Sequence, residues 1–277
     1  MTFEPERMGQ SSRELAHMLR ELRRRSGLSG ARVAARCNMS QSKISRIENG
    51  NVRPSLVDVE QILRAIDAPA ELVAEASALA RMANTDWQDA RSLRRKGLDK
   101  KQFELAGLEA AGTELRYLLP SMITGLLSTP EYIRASLAHV PGDHSKAVAK
   151  KLERQEVLYD RSKQFTFLLT EQAVRWPLVP PDALAVQIDR LVSLTYLSNL
   201  RLGVIPLGPV PAPTPLSTFT VYDDRMVTVE VSTGVLVLRD PRDVRAHLQE
   251  FAGYQDLALF GDDARECLTS WAAACRS

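Results

Sequence analysis

The chain has 277 residues, 44% hydrophobic and 25% charged, the balance of a globular protein able to bury a core, and its length suggests two domains. No apolar run reaches the ~18 residues of a membrane span, and the polar, acidic start MTFEPERMGQSSREL lacks a signal-peptide pattern, so a cytoplasmic protein without a membrane partner is expected. The net charge of +2 is unevenly spread, with residues 1–66 at +5 and the remainder at −3. A polyanion would therefore meet the N-terminal part, and chance clustering on a solvated surface is the competing account.

Residues 12–26 place Leu15, Met18, Leu19 and Leu22 on one helical stripe, which Gly27 ends. Short helices are predicted at about 30–37 and at 41–49, the second closed by Gly50. Ser55 caps a further helix whose Leu56, Val59, Ile62, Leu63 and Ile66 face a core. Residues 69–92 continue helical, which makes a five-helix module ending near residue 80. The basic stretch RSLRRKGLDKK (91–101) lacks periodicity and reads as a linker or exposed helix end, with phosphate contact as the alternative.

Residues 103–160 read as mostly helical, interrupted at LLPSMITGLLSTPEY. Strand-like runs follow at Phe165–Leu169, Leu202–Leu207, Thr218–Tyr222, Met226–Val231 and Val235–Leu238. Tyr222–Arg225 and Ser232–Gly234 look like hairpin turns, and the Pro-rich 208–215 reads as a surface loop. Helices return at 183–198, 241–257 and 262–275. The expected fold is therefore an all-α five-helix domain (1–80), a basic helical linker (81–102) and an α+β domain (103–277) with a small, largely antiparallel sheet.

The segment Gly30–Asn49, GARVAARCNMSQSKISRIEN, meets the demands of a helix-turn-helix. Where two helices cross, the fifth position must be small, and it is Ala34. The ninth must tolerate left-handed geometry, and it is Asn38. Ile44 and Ile47 seat the second helix on the first, Val33 and Met39 add to this mini-core, and Ser40 caps the second helix. Gln41, Ser42, Lys43, Ser45, Arg46 and Asn49 are left without a core duty. In such a motif the start of the second helix meets base edges in the major groove. Gln41 has the chemistry to pair with adenine and Arg46 with guanine; Ser42 and Lys43 suit a base or a phosphate. Arg53, just beyond the helix, suits a phosphate. For Ser45 and Asn49 a plain exposed polar role weighs equally. The candidate DNA-binding set is Gln41, Ser42, Lys43, Ser45, Arg46 and Arg53.

The run MSQSKISRIENGNVRPS resembles the Xre-type helix-turn-helix of phage Cro and repressor proteins. The resemblance implies that Gln41, Ser42 and Arg46 read bases and that Glu48 braces the helix end. The family often has Gln at the start of its first motif helix, where it holds a phosphate; here that position is Gly30, with Arg32 or Ser29 as the replacements at hand. In the second domain, Glu109, the run Thr124-Gly-Leu-Leu-Ser-Thr129, Tyr132-Ile-Arg134 and ERQEVL (153–158) resemble the C-terminal domain of actinobacterial WhiJ-like, antitoxin-type regulators. Thr124 and Ser128 depart from that pattern, which has Pro and Gln there. The resemblance implies a domain that senses or binds, either a small companion protein or a small-molecule effector. The residues also have a purely structural account: Gly125 permits a turn, Leu126 and Leu127 are buried, and Thr129 caps a helix begun by Pro130.

Nothing in the sequence calls for catalysis, a metal or a cofactor. His17, His139, His144 and His247 are scattered, and no phosphate-binding glycine loop or GxSxG is present. Cys37, Cys267 and Cys275 show no paired spacing and read as buried small hydrophobes. The expected function is a sequence-specific transcriptional regulator, a homodimer reading palindromic half-sites in double-stranded DNA, nucleoid-associated when bound. The other reading is an antitoxin-like interaction protein that binds a small companion and controls its own operon.

Overall fold

The computed structural model describes residues 7–89, 98–140, 142–208, 214–231 and 233–276. The chain divides into two compact units: Met1–Trp87 with Leu236–Asp243, and Gln88–Val235 with Val244–Ser277.

The first unit is built on α1 (Arg7–Arg25), α2 (Gly30–Arg36), α3 (Gln41–Glu48), α4 (Leu56–Ala65) and α5 (Ala70–Asn84). Its core is the set that helical spacing marks: Leu15 and Leu19 of α1, Val33 and Ala34 of α2, Ile44 and Ile47 of α3, and the α4 stripe. Met18 and Leu22 pack on it at its margin. Gly27 and Gly50 have φ of +69° and +72°, the left-handed geometry that lets a helix end and the chain turn away. Ser55 forms a capping box with Asp58: its Oγ accepts from Asp58 N at 3.1 Å, and its own N–H donates to the Asp58 carboxylate at 3.1 Å. A further free donor at that helix end is taken from far along the chain, Leu56 N donating to Asp240 Oδ2 at 2.9 Å. Arg242 adds a two-pronged ion pair to Glu60 at 3.1 and 2.6 Å.

The chain leaves the helical path at Asn84. Its buried amide donates to Pro54 O (2.7 Å) and Ala80 O (3.0 Å), fixing the helix end. A strand, β1 (Thr85–Asp89), then replaces the predicted continuation of the helix to residue 92. Thr85 is already extended, and residues after it supply no further apolar face for a helix to bury. Residues 91–97 of the basic stretch lie outside the described residues.

The second unit sets helices around a mixed sheet. In chain order it holds α6 (Leu98–Ala111), β2 (Glu114–Leu119), α7 (Pro130–Leu137), α8 (Ser145–Arg154), a 3-10 turn (Gln155–Tyr159), β3 (Gln164–Thr170), α9 (Glu171–Arg175) and α10 (Pro181–Leu194). β4 (Leu200–Ile205), β5 (Thr218–Tyr222), β6 (Met226–Val231) and α12 (Gly261–Arg276) follow, while β7 (Gly234–Leu238) and α11 (Pro241–Gln255) are divided between the two units, Leu236–Leu238 and Pro241–Asp243 belonging to the first. Within this unit the strands run in the order β6-β5-β2-β3-β4. β2 pairs in parallel with β3, and β3 in parallel with β4, while β2–β5 and β5–β6 are antiparallel.

This corrects the expected small, largely antiparallel sheet. That expectation came from the late hairpin strands, and the β5–β6 hairpin does turn at Tyr222–Arg225 with Asp223 at φ +52°. The missing piece was β2, which lies inside a stretch read as helical. Once β2 is a strand, the helices between it and β3, and between β3 and β4, become the long crossovers that parallel pairing requires. The second proposed turn includes Ser232, and the Pro-rich loop includes residues 209–213; both lie outside the described residues.

The core joins β2, β3 and β4 to α10 and α12 through Leu115, Phe165, Phe167, Ile188, Leu191 and Leu268. Tyr117 stacks on Phe167 with ring centroids 4.6 Å apart. The outer side of β4 is closed by a bridge in which Val204 N donates to Leu259 O (3.0 Å) and Leu259 N to Val204 O (2.8 Å). That removes exposed strand-edge groups. The Phe260 ring lies over Gly203, where a Cβ would come within 2.7 Å of it. The three cysteines are unpaired; Cys37 is buried, whereas Cys267 and Cys275 are half-buried at the margin of the core. Among the described residues no helix is long and apolar enough to cross a membrane.

Candidate nucleic-acid interface

Helices α2 and α3 meet at a turn whose geometry depends on Asn38, at φ +53°. An ordinary side chain disfavours that conformation, and asparagine tolerates it. Ser29 caps α2 by accepting from Arg32 N at 3.3 Å, and Ser40 caps α3 by accepting from Lys43 N at 3.2 Å. Both caps quench free N–H groups at the helix starts. Ile44 and Ile47 are buried on the inner side of α3.

The opposite side of α3 is polar and exposed. Ser42, Ser45, Arg46 and Asn49 fall at i, i+3, i+4 and i+7, so they share one stripe, and Gln41 adjoins it at the helix start. Along the stripe, Arg46 Nε donates to Ser42 O at 3.4 Å and Asn49 Nδ2 to Ser45 Oγ at 3.4 Å. Ser42 Oγ lies 3.1 Å from Ser40 Oγ. Arg53 is exposed beyond the helix. Five of the six candidate residues, Lys43 aside, are therefore exposed, and Arg46 brings a guanidinium to the centre of the stripe.

Lys43 is placed differently. It is half-buried, and its Nζ donates to Asp58 Oδ1 at 2.7 Å. Asp58 thus serves twice, in the α4 capping box and as the counter-ion that ties α3 to α4. The other end of α3 is tied to α1: Arg23 Nε donates to Glu48 Oε1 at 2.6 Å and Arg23 Nη2 to Oε2 at 2.8 Å, with both groups largely shielded from water. The fork-to-carboxylate geometry raises the Arg23 pKa and fixes the rotation of α3 about its axis. Sequence reasoning marked Glu48 as a brace and missed Arg23, which lies 25 positions away with no local signal. At Gly30 an added Cβ would meet nothing within 4 Å, so the start of α2 is open where a longer side chain would stand. Ser29 spends its acceptor on the cap and keeps its hydroxyl proton for donation.

In the second unit the scattered motif residues converge. Gln155 Nε2 donates to Gly125 O (2.7 Å) and Ser128 O (2.8 Å), while Gln187 donates to Leu127 O (3.0 Å) and accepts from Thr129 N (2.6 Å). Tyr132 Oη accepts from Ile123 N at 3.3 Å, and Thr129 caps α7 with Pro130 in its first turn. The loop 123–129 is thus held rigid by two glutamines and a tyrosine. Glu109 is 1% exposed, lies 3.0 Å from Arg154 Nε and accepts from Tyr117 Oη at 3.2 Å. Burial pushes its carboxyl up to about 7, against the opposing pull of Arg154 and the Tyr117 hydrogen bond. Glu109, Tyr117 and Arg154 border a cavity of about 430 Å³. No group of three or more His, Cys, Asp or Glu among the described residues is placed to hold a metal ion.

Residues 14–76 match a family described as a helix-turn-helix domain, and residues 102–270 match a domain of unknown function, DUF5753. Comparison with curated proteins finds no match. Among solved structures, Nuc, a phospholipase D family member from Salmonella typhimurium, is 9% identical over 58% of this chain and 90% of its own, with a TM-score of 0.35. NucT from Helicobacter pylori is 7% identical over 64% of this chain and 98% of its own, at 0.37. TrmBL2, an archaeal chromatin protein, is 12% identical over 64% and 53%, at 0.34. TM-scores this low carry no inference about this chain.

Proposed function

Because this chain belongs to the family defined by the domain of unknown function DUF5753, and carries a helix-turn-helix domain ahead of it, we propose that it is a sequence-specific DNA-binding regulator of transcription. One observation carries the reading most: α3 presents Gln41, Ser42, Ser45 and Arg46 outward while its inner side and both ends are locked to the other helices. A rigid helix with a polar outer stripe is what major-groove reading requires. Gln41 and Arg46 are assigned to base edges, Ser42 and Ser45 to base or phosphate, and Arg53 to phosphate. Lys43 is assigned to phosphate, its ion pair with Asp58 limiting how far it reaches. The Xre-type pattern of the motif and the WhiJ-like pattern of the second unit support the regulatory role. The protein acts by binding, and no catalytic step is assigned to it.

One small domain reads few bases, so the active form is a homodimer on a palindrome whose half-sites lie ~34 Å apart. Selection of bound duplexes from a random pool, with the full chain, tests this. An enriched inverted repeat with half-site centres about one helical turn, or a multiple of it, apart is expected. A single unrepeated motif would refute the dimeric reading, and an unenriched pool would refute sequence-specific recognition.

A further inference from the structure

Arg53 stands on a turn that is anchored on both sides. Before it, Asn51 N and Val52 N both donate to Arg46 O, at 2.8 and 3.2 Å, which ties the turn to the last turn of α3. After it, Pro54 is buried and its carbonyl accepts from the Asn84 amide at 2.7 Å. Arg53 itself is exposed between these anchors. Its guanidinium is therefore placed by the backbone from Asn51 to Leu56, and the start of α4 decides where that stretch ends.

The start of α4 is held by a carboxylate from far along the chain. Ser55 Oγ takes the Asp58 N–H, and Asp240 Oδ2 takes the Leu56 N–H at 2.9 Å. Asp240 is 3% exposed and directly precedes α11, where its other oxygen, Oδ1, accepts from Arg242 N at 2.9 Å. One buried carboxylate thus serves the first turns of two helices, and each helix start offers it a partial positive charge. Two further links secure the same segment. Arg239 N donates to Asn84 O at 3.2 Å, and Arg242 pairs with Glu60 of α4. Residues 239–242 therefore close on Leu56, Glu60 and Asn84, the groups that flank the Arg53 turn. Apolar contact is non-directional, whereas hydrogen bonds to a carboxylate are directional. This clasp fixes the position of the α4 start as well as covering it.

We infer that Asp240 is a positioning residue for DNA binding: by holding the start of α4 it sets the turn that carries Arg53 against a backbone phosphate. The inference rests on the DNA-binding reading above and deepens it, because it names a residue 184 positions beyond Leu56 on which a phosphate contact depends. Buried as it is, Asp240 acts through Arg53 and not on DNA itself. Without its carboxylate the Leu56 N–H is buried and unpaired, which is costly. The start of α4 then shifts to satisfy that donor, and the Arg53 turn moves with it. Base reading by α3, which the Arg23–Glu48 ion pair braces separately, persists.

The test measures the affinity of the full chain for the selected operator and for an unrelated duplex across a salt series. The proteins are the parent, Arg53→Ala, Asp240→Ser and the double variant. Serine keeps an N-cap for α11 with its single oxygen and cannot serve α4 as well. Asp240→Asn, of the same shape as the parent, is the second variant, and thermal melting checks that each is folded at the assay temperature. Asp240→Ser is expected to weaken both duplexes about fivefold at physiological salt and to flatten the salt slope by about 0.9, one phosphate's worth, as Arg53→Ala does. The ranking of single-base operator variants should not change. The double variant should bind no more weakly than Arg53→Ala, because both changes remove the same contact. A loss of stability alone would leave the slope as it was and would add to the effect of Arg53→Ala. The inference is overturned if a folded Asp240 variant keeps the parent's slope, if the two losses add, if Arg53→Ala itself leaves the slope unchanged, or if neither Asp240 variant folds, which would mark the contact as structural. A parent that selects no duplex overturns the DNA-binding reading, and this inference with it.

Discussion

At the scale of single residues, the two units use charge in opposite ways. In the first unit, charged groups are paired to hold a surface still: Arg23 with Glu48, Lys43 with Asp58. In the second, Glu109 is buried at a cost, and the cost has a pH signature. Its folded pKa of about 7 lies above the ~4.3 of an unfolded glutamate. Between those values the folded chain keeps a proton that the unfolded chain has lost. The stability this contributes is complete below about pH 4.3 and is lost as pH rises through about 7. Thermal melting across this window should show stability of the second unit declining towards neutral pH, and Glu109→Gln should remove that part of the slope. An unchanged slope in the variant would mean that Glu109 keeps an ordinary carboxylate pKa. The sequence could nominate Glu109 only through a resemblance. Its burial depends on Tyr117 and Arg154, which meet it through β2 and α8 rather than through any local spacing.

At the scale of elements, the helices of the first unit and the later strands were legible, and the central strand β2, with the parallel pairing it sets up, was not. The first unit's helices announce themselves because each must bury one stripe, and caps such as Ser40 and Ser55 mark their starts chemically. The central strand β2, Glu114–Leu119, alternates only briefly before its apolar end, and it follows a helix without a turn signal stronger than Gly112-Thr113. Short apolar runs are ambiguous between helix and strand, and tertiary pairing on both sides decides this one. Strand β4 depends equally on long-range packing, because the Phe260 ring occupies the space a side chain at Gly203 would need. A Cβ there would sit 2.7 Å from the ring and 2.9 Å from Leu168 Cδ2. Gly203→Ala should therefore destabilise the second unit by ~1–3 kcal/mol in denaturant unfolding, with part of the loss recovered by adding Phe260→Leu. A single variant as stable as the parent would show that the ring moves aside freely.

At the scale of the whole molecule, the helix-turn-helix unit is completed by a segment that sequence reading assigned elsewhere. Leu236–Asp243 belongs to the first unit, where Asp240 serves α4 and Arg242 pairs with Glu60. No local pattern announces a contact 184 positions apart. By contrast, the basic bias of the N-terminal part and the motif around Asn38 were both visible in the linear sequence. They led to Gln41, Ser42, Ser45 and Arg46, which the structure leaves exposed on α3, and to Lys43, which it half-buries against Asp58. The central claim is that this stripe reads base edges, with Arg46 as its principal charged reader. Measuring affinity for the selected operator and for every single-base variant of it, with parent and Arg46→Ala proteins, tests that claim directly. The variant should lose ~1–3 kcal/mol at one base pair per half-site and become indifferent to the base there, while its preferences elsewhere persist. Binding that keeps the parent's full base preference at every position would contradict the claim.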